Sequence, residues 1–165
     1  MMSRFPEISQ TFVLYEMLEL EQQGVQVELF PLLLQTQSVS HPESQRLATQ
    51  AHANRVLEWR TLLAQLHWLR TNPGAYLRVW RHALRGNIYS PKFLVRVCAV
   101  VPKAARFAQV MQHLGITHVH AHWATHPTLA AYVVHHLTGL PYSFTAHAHD
   151  LYVDRTMLAE KIQAA

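Results

Sequence analysis

The chain has 165 residues, of which 50% are apolar and 15% are charged. This length allows one domain with a hydrophobic core, and the composition excludes an intrinsically disordered chain. The formal net charge is a modest +4, and no run reaches the roughly 18–20 apolar positions of a membrane-spanning helix. The single cysteine, Cys98, can form no internal disulfide, which favours a reducing compartment. Since Cys98 stands in the apolar run Val95–Val101, we predict that it is buried.

The first predicted element is an amphipathic helix over Ser9–Gly24, in which apolar residues recur at helical spacing. Ser9 is its predicted N-cap, and Gly24 its predicted stop. Val25–Phe30 then alternates in the manner of a strand. Because only eight residues precede Ser9, we predict that the strand which a doubly wound fold places before this helix is missing.

The middle of the chain, from about residue 43 to 113, has a helical pattern that is broken at Asn72-Pro73-Gly74 and at Ser90-Pro91. Basic residues here favour an anionic membrane surface, a phosphate-bearing ligand or nucleic acid, or else form a solvated face; they are Arg70, Arg78, Arg81, Arg85, Lys92, Arg96, Lys103 and Arg106. Three tryptophans interleaved with arginines indicate either an interfacial helix or ordinary core packing: Trp59, Trp68 and Trp80.

A strand–helix–strand unit follows. We predict a strand over Ile116–Ala121 that ends at His122, a helix that opens near His126-Pro127 and closes at Gly139, and a strand over Tyr142–Ala146. A crossover of this kind implies that the two strands are parallel. A further helix is predicted to begin near residues 154–156. The fold class is therefore α/β, with a parallel sheet flanked by helices.

Histidines mark the ends of both of these strands. His118, His120 and His122 share one strand face, because side chains two apart point the same way. His118 is expected to be structural, whereas His120 and His122 are either buried histidines hydrogen-bonded to backbone carbonyl groups or site residues. His147, His149 and Asp150 come at or just past the second strand. The carboxyl ends of parallel strands bind ligands, and a carboxylate near an imidazole can orient it and raise its basicity.

Two predicted helix starts add candidate ligand contacts. Ser9, Gln10 and Thr11 offer polar side chains and backbone N–H groups to an anion, and Thr125 does so at the next helix start. Ordinary helix capping explains Ser9 equally well, and at Thr125 capping is favoured over a ligand contact.

Four stretches, read together, resemble the amino-terminal domain of family 4 glycosyltransferases, and most of all the branch that builds exopolysaccharides such as colanic acid. They are RFPEISQTFVLYEMLELEQQG (Arg4–Gly24), HVHAHWATHP (His118–Pro127), LTGLPYSFTAHAHDLYVD (Leu137–Asp154) and MLAEKIQAA (Met157–Ala165). Their order and spacing are those of the family. The helical middle matches only loosely, and Gln10 stands where the family usually has Glu.

The resemblance implies a GT-B architecture, in which two Rossmann-like domains face each other across a cleft. Residues 1–165 would form a partial amino-terminal, acceptor-side domain, truncated at both ends, with a helical insertion at about 43–113 and without the carboxyl-terminal donor domain. The implied activity is that of a retaining hexosyltransferase, which moves a sugar from a nucleotide-sugar to a glycan or lipid-linked acceptor in surface polysaccharide biosynthesis. We expect the fragment alone to be inactive.

The resemblance also implies the roles of individual residues. It makes His147 and Asp150 catalytic, and it assigns substrate binding to Ser9, Gln10, Thr11, His122, Thr125 and His149. It implies neither a metal nor another cofactor, since the nucleotide-sugar is a substrate. We expect a cytoplasmic protein without a nucleic-acid partner, and a peripheral contact with the inner face of the plasma membrane stays open.

Two other readings remain. Histidine pairs at strand ends, with Asp150 as a further ligand, are also what some zinc-dependent hydrolases use. Alternatively the chain is a non-catalytic fragment that folds poorly or only binds a partner, which the predicted loss of the first strand favours.

Overall fold

The computed structural model describes residues 1–35 and 42–165, and within them the predicted α/β class is confirmed. The strands are β1 (Met2–Phe5), β2 (Pro31–Leu34), β3 (Val119–His122) and β4 (Tyr142–Thr145). The α-helices are α1 (Thr11–Gln22), α2 (Pro42–Gln50), α3 (Trp59–Thr71), α4 (Pro73–Gly86), α5 (Pro91–Leu114), α6 (His126–Thr138), α7 (Ala148–Tyr152) and α8 (Leu158–Gln163). The chain divides into a smaller unit, Met2–Ala53, and a larger unit of Met1 and Asn54–Ala165.

In the smaller unit, β1 and β2 form a parallel pair in which Met2 lies opposite Pro31 and Phe5 opposite Leu34. The prediction that no strand precedes the first helix is therefore wrong, because four residues with buried Met2 and Phe5 are enough to pair with β2. The predicted strand over Val25–Phe30 is also misplaced. The paired segment begins at Pro31. Proline has no backbone N–H to donate, and the first position of a strand tolerates this better than an interior position.

The helix predicted over Ser9–Gly24 begins later than expected. A 3-10 turn covers Ile8–Gln10, so that α1 starts at Thr11 and Ser9 lies inside the turn rather than at the N-cap. Gln10 occupies the N-cap position and makes no side-chain capping hydrogen bond. The stop is confirmed: Gly24 follows the helix with φ +84°, a backbone conformation that glycine adopts at little cost.

Both predicted breaks in the helical middle are confirmed by caps. Asn72 precedes α4 and its side chain accepts a hydrogen bond from the Ala75 N–H at 3.3 Å. Ser90 precedes α5, and its Oγ accepts from the Phe93 N–H at 3.5 Å. A proline at the first position of each helix costs little, because that N–H has no intrahelical partner. A further break between α2 and α3, over residues 51–58, was not predicted.

The larger unit is built around α6, which has nine buried residues and packs against α5, α4, β3, β4 and α8. It connects β3 to β4, which pair in parallel, so the predicted strand–helix–strand unit is confirmed. The prediction for Cys98 is wrong, since its side chain is exposed. In α5 the buried face contains Val97, Val101 and Ala104, and Cys98 lies off that face. None of the described helices is long and apolar enough to cross a membrane.

The contact between α4 and the segment before α8 gives a stability prediction. A Cβ on Gly86 would overlap Met157 Cγ and lie 2.7 Å from its Sδ, whereas a Cβ on Gly74 would meet no atom within 4 Å. We expect Gly86→Ala to lower the free energy of unfolding by about 1–3 kcal/mol through overpacking. Gly74→Ala, the control, should raise it by up to about 1 kcal/mol through helix propensity.

Urea unfolding of both variants measures this difference. The double variant Gly86→Ala/Met157→Ala should lose less stability than the two single changes added together, because the second removes the clash of the first. Equal stability of the two glycine variants would contradict the predicted clash.

Candidate functional site

Two histidines stand at the ends of the paired strands in the larger unit. His122 is the last residue of β3 and lies opposite Thr145, the last residue of β4. His147 follows β4 by two residues and occupies the N-cap position of α7. Both therefore belong to the carboxyl-terminal edge of one parallel strand pair, the position at which open α/β sheets bind ligands.

His118, directly before β3, shares a side of the strand pair with His120 of β3, and both are held by hydroxyl groups of β4. Ser143 Oγ lies 2.8 Å from His118 Nε2 and 2.8 Å from His120 Nδ1. The other ring nitrogen of His120, Nε2, lies 3.1 Å from Thr145 Oγ1. The His120 and His122 rings meet edge to face, 5.0 Å apart. Hydrogen bonds thus hold His118 and His120 in the strand pair. The partners of His120 are side-chain hydroxyl groups rather than the backbone carbonyl groups that its predicted structural role named.

Trp123 directly follows β3 and stacks on His147. The ring centroids are 4.9 Å apart, with an interplanar angle of 29°. Trp123 has φ +71°, in the left-handed region, which is costly for a bulky side chain and persists only where the surrounding structure enforces it. The loop after β3 must therefore be held by contacts from elsewhere.

Asp150 supplies the first of those contacts. Its side chain is buried, with 1% exposure, and Oδ2 accepts hydrogen bonds from the Ala124 N–H at 2.8 Å and from the His147 N–H at 3.3 Å. One carboxylate oxygen thus joins the loop after β3 to the start of α7. Hydrogen bonds of this charge-assisted kind are stronger than neutral ones. Asp150 therefore holds the backbone on both sides of the Trp123–His147 stack.

Lys161, in α8, donates hydrogen bonds to backbone carbonyl groups of the same loop. Its Nζ donates to the carbonyl oxygens of Ala124 at 2.8 Å, Thr125 at 3.1 Å and Thr156 at 2.7 Å. Burial lowers the pKa of Lys161 to about 8, against the opposing effect of Asp154 and Asp150. At neutral pH the ammonium group is kept, and it satisfies three carbonyl groups. The backbone N–H of Ala124 is therefore bound by a carboxylate, and its backbone C=O is bound by an ammonium group.

Two histidines near the site are kept neutral at physiological pH. Burial lowers the pKa of His122 to about 4, with a further contribution from the charge of His120. Burial also lowers the pKa of His126, at the start of α6, to about 4, helped by the nearby charges of Arg96 and Lys161. Neutral imidazoles can both donate and accept hydrogen bonds, which suits the recognition of hydroxyl groups.

The other predicted site residues have more varied positions. Thr125 precedes α6 without a side-chain capping hydrogen bond, and its carbonyl group is one of those bound by Lys161. His149 is exposed in α7. Ser9, Gln10 and Thr11 belong to the smaller unit, where Ser9 is exposed. The buried Oε1 of Gln10 has no hydrogen-bond partner among the described residues.

Sequence reasoning missed Trp123 and Lys161. Trp123 adjoins the histidine pattern of β3, and its position was a usable signal. Lys161 lies in a short stretch, Leu158–Gln163, that reads as a solvated helix end. Nothing in that pattern indicates a lysine with 2% exposure.

Comparison of the chain with protein-family models, with curated proteins and with solved structures gave no match.

Asp150 Oδ2 accepts two hydrogen bonds, so we expect removal of this carboxylate to lower the free energy of unfolding strongly. Asp150→Ala should lower the free energy of unfolding by about 2–4 kcal/mol, because two buried N–H groups lose their acceptor. Glu160→Ala removes the same charge from an exposed position and should change stability by less than about 0.5 kcal/mol. Urea unfolding followed by circular dichroism measures the free energy of unfolding of both variants. If Asp150→Ala is as stable as the control, the two hydrogen bonds of Asp150 do not stabilise the loop.

The depressed histidine pKa values predict a loss of stability in mild acid. Burial lowers the pKa of His136 to about 4, and the nearby charge of His135 contributes. Burial is also the main cause of the pKa of about 4 at His122 and His126. The unfolded chain, with ordinary histidine pKa values near 6.5, binds up to three more protons between pH 6.5 and 4. The free energy of unfolding should therefore fall through this window, by up to about 4 kcal/mol per pH unit.

Urea unfolding at pH 7, 6 and 5 measures this slope. His136→Leu should reduce it by about one third, since one of three titrating groups is gone. His113→Leu, at an exposed position on α5, is the control and should leave the slope unchanged. A free energy of unfolding that stays constant from pH 7 to 5 would show that the three imidazoles are not held neutral.

Proposed function

We propose that this chain is a Rossmann-like, acceptor-side domain of a GT-B glycosyltransferase of family 4, of the exopolysaccharide branch that includes colanic acid synthesis. The reaction is transfer of a sugar from a nucleotide-sugar to a glycan or lipid-linked acceptor. The observation that carries this proposal is His147, stacked on Trp123 and held through its backbone by Asp150 at the end of a parallel strand pair.

The position of His147 supports a role at the transferring sugar. It stands where an α/β sheet presents ligands, and the stack and the backbone hydrogen bond fix its main chain and limit its ring. Fixed polar groups at a reacting centre lower the barrier because they need no reorganisation during the reaction. In the proposed reaction, an acceptor hydroxyl oxygen forms the new bond to the anomeric carbon. The nucleoside diphosphate leaves, and the hydroxyl proton passes to it or to solvent.

The role of Asp150 in this proposal is to position rather than to exchange protons. Its Oδ2 is already used by two backbone N–H groups, and its side chain is buried. The same contacts disfavour the zinc-hydrolase reading, which needs Asp150 as a metal ligand. His120, another ligand in that reading, has both ring nitrogens beside β4 hydroxyl groups. The transferase reading uses these residues as they stand.

The remaining parts of the proposal come from the resemblance. It assigns the nucleotide-sugar to a second Rossmann-like domain across a cleft and retention of configuration to the reaction. It also gives Ser9, Gln10, Thr11, His122, Thr125 and His149 contacts with substrate. A cytoplasmic location follows from a nucleotide-sugar donor, which cells make and use on that side of the membrane.

The experiment uses the native protein that carries this chain, tagged and purified from its own cells. We expect it to transfer label from one member of a panel of uridine and guanosine diphosphate sugars to a lipid extract of those cells. His147→Ala should lower kcat at least about 100-fold with a smaller change in KM, because the contact is strongest in the transition state. His113→Ala, the matched control on exposed α5 surface, should leave both unchanged.

Two results would count against the proposal. One is a wild-type protein that transfers no sugar from any donor in the panel. The other is transfer that His147→Ala leaves intact. Stoichiometric zinc together with a hydrolase activity that a chelator abolishes would favour the hydrolase instead.

A further inference from the structure

Helix α3 has two apolar faces, and its inner face packs on α5. Thr61, Ala64 and Trp68 are buried at helical spacing. Trp68 Nε1 donates a hydrogen bond to the Ala105 carbonyl oxygen at 2.8 Å, and Gln65 Nε2 donates to that of Pro102 at 3.2 Å. These contacts fix how the helix is rotated about its axis. Trp68 is therefore a core residue, which is the second of the two roles that the sequence left open for the tryptophans.

The opposite face of α3 is also apolar but is exposed. Five side chains spaced three or four residues apart share it, and we call this set the α3 outer face. They are Trp59 (61% exposed), Leu62 (54%), Leu63 (52%), Leu66 (41%) and Leu69 (43%). One tryptophan and four leucines on a single helix face exceed the isolated apolar residues that are usual on a protein surface.

The charged side chains within helix α3 are basic, and the acidic Glu58 lies at its N-cap, directly before Trp59. The Arg60 guanidinium lies 5.3 Å from the Trp59 ring centroid, and Arg70 is exposed at the other end of the face. From Trp59 to His149 the sequence contains no Asp or Glu. The basic residues in that interval are Arg60, Arg70, Arg78, Arg81, Arg85, Lys92, Arg96, Lys103 and Arg106. An apolar face in a mainly basic setting is complementary to a surface that is apolar inside and anionic outside.

We propose that the α3 outer face docks this protein onto an anionic lipid bilayer, with the helix lying in the plane of the headgroups. Thirteen residues of helix span about 20 Å, less than the roughly 30 Å of a bilayer core, so the helix cannot cross it. Leucines enter the acyl boundary, Trp59 lies at the interface, and Arg60 and Arg70 meet lipid phosphates. A second copy of the chain is a poorer occupant, because facing copies would oppose their own arginines.

Vesicle binding of the full chain tests this directly and needs no enzymatic activity, so the result is independent of the proposed function. We expect co-sedimentation with vesicles of phosphatidylcholine containing about 30% phosphatidylglycerol, and at least roughly tenfold weaker binding to phosphatidylcholine alone. Leu62→Ser/Leu66→Ser should weaken binding at least roughly tenfold. Leu20→Ser/Leu114→Ser changes two exposed leucines outside the face and should bind as wild type does.

Trp59 reports the depth of docking. Brominated acyl chains should quench tryptophan fluorescence in the wild type and in the control, and much less in Trp59→Phe. Circular dichroism of each variant checks that the fold is kept, as expected for exposed positions.

Several results would overturn the proposal. One is absence of binding to anionic vesicles, and another is binding that the Leu62→Ser/Leu66→Ser variant retains in full. A third is quenching by brominated acyl chains that is as strong in Trp59→Phe as in the wild type. A dimer in light scattering that the Leu62→Ser/Leu66→Ser variant abolishes would assign the face to a second copy. Release by inorganic phosphate beyond that by chloride of equal ionic strength would assign the binding to a phosphate site. Preferential binding to duplex DNA would assign it to nucleic acid.

Discussion

The candidate site depends on how the backbone of one residue, Ala124, is held through the two peptide groups that flank it. A buried carboxylate from Asp150 accepts its N–H, and a buried ammonium from Lys161 donates to its carbonyl oxygen. Burying either charge alone costs several kcal/mol, and the cost is offset only when hydrogen bonds satisfy the group. Here backbone groups satisfy both charges. The two ions thereby hold the loop after β3 in a conformation that its own residues disfavour, with Trp123 at positive φ and against His147.

This arrangement separates the residues that hold the site from those that face a ligand. Asp150 and Lys161 are almost fully buried and act through the backbone. His147 is half-buried, and His149 is exposed. Burial also lowers the pKa of His122 and His126, so these two imidazoles contribute hydrogen-bonding groups rather than positive charge at neutral pH.

The proposed function and the proposed membrane face concern the same unit of the chain. A lipid-linked acceptor is available only at a bilayer surface, and a face that docks there would keep the enzyme where that acceptor is found. The two proposals are still separable, because lipid binding can be measured without turnover. Each uses different residues: the strand ends and α7 for sugar transfer, and the exposed side of α3 for lipid.

The sequence by itself determined the α/β class, the parallel strand–helix–strand unit over residues 119–145, and the breaks before Pro73 and Pro91. These follow from local rules of spacing, capping and turn chemistry that need no distant partner. Only the tertiary structure decided that Met2–Phe5 and Pro31–Leu34 are the paired strands, that Cys98 is exposed, and which side of α3 is covered. It also decided that Lys161, which reads as a surface residue, is buried against Ala124, 37 positions away in the chain. Pairing and burial depend on which segments meet, and a local pattern of residues does not contain that information.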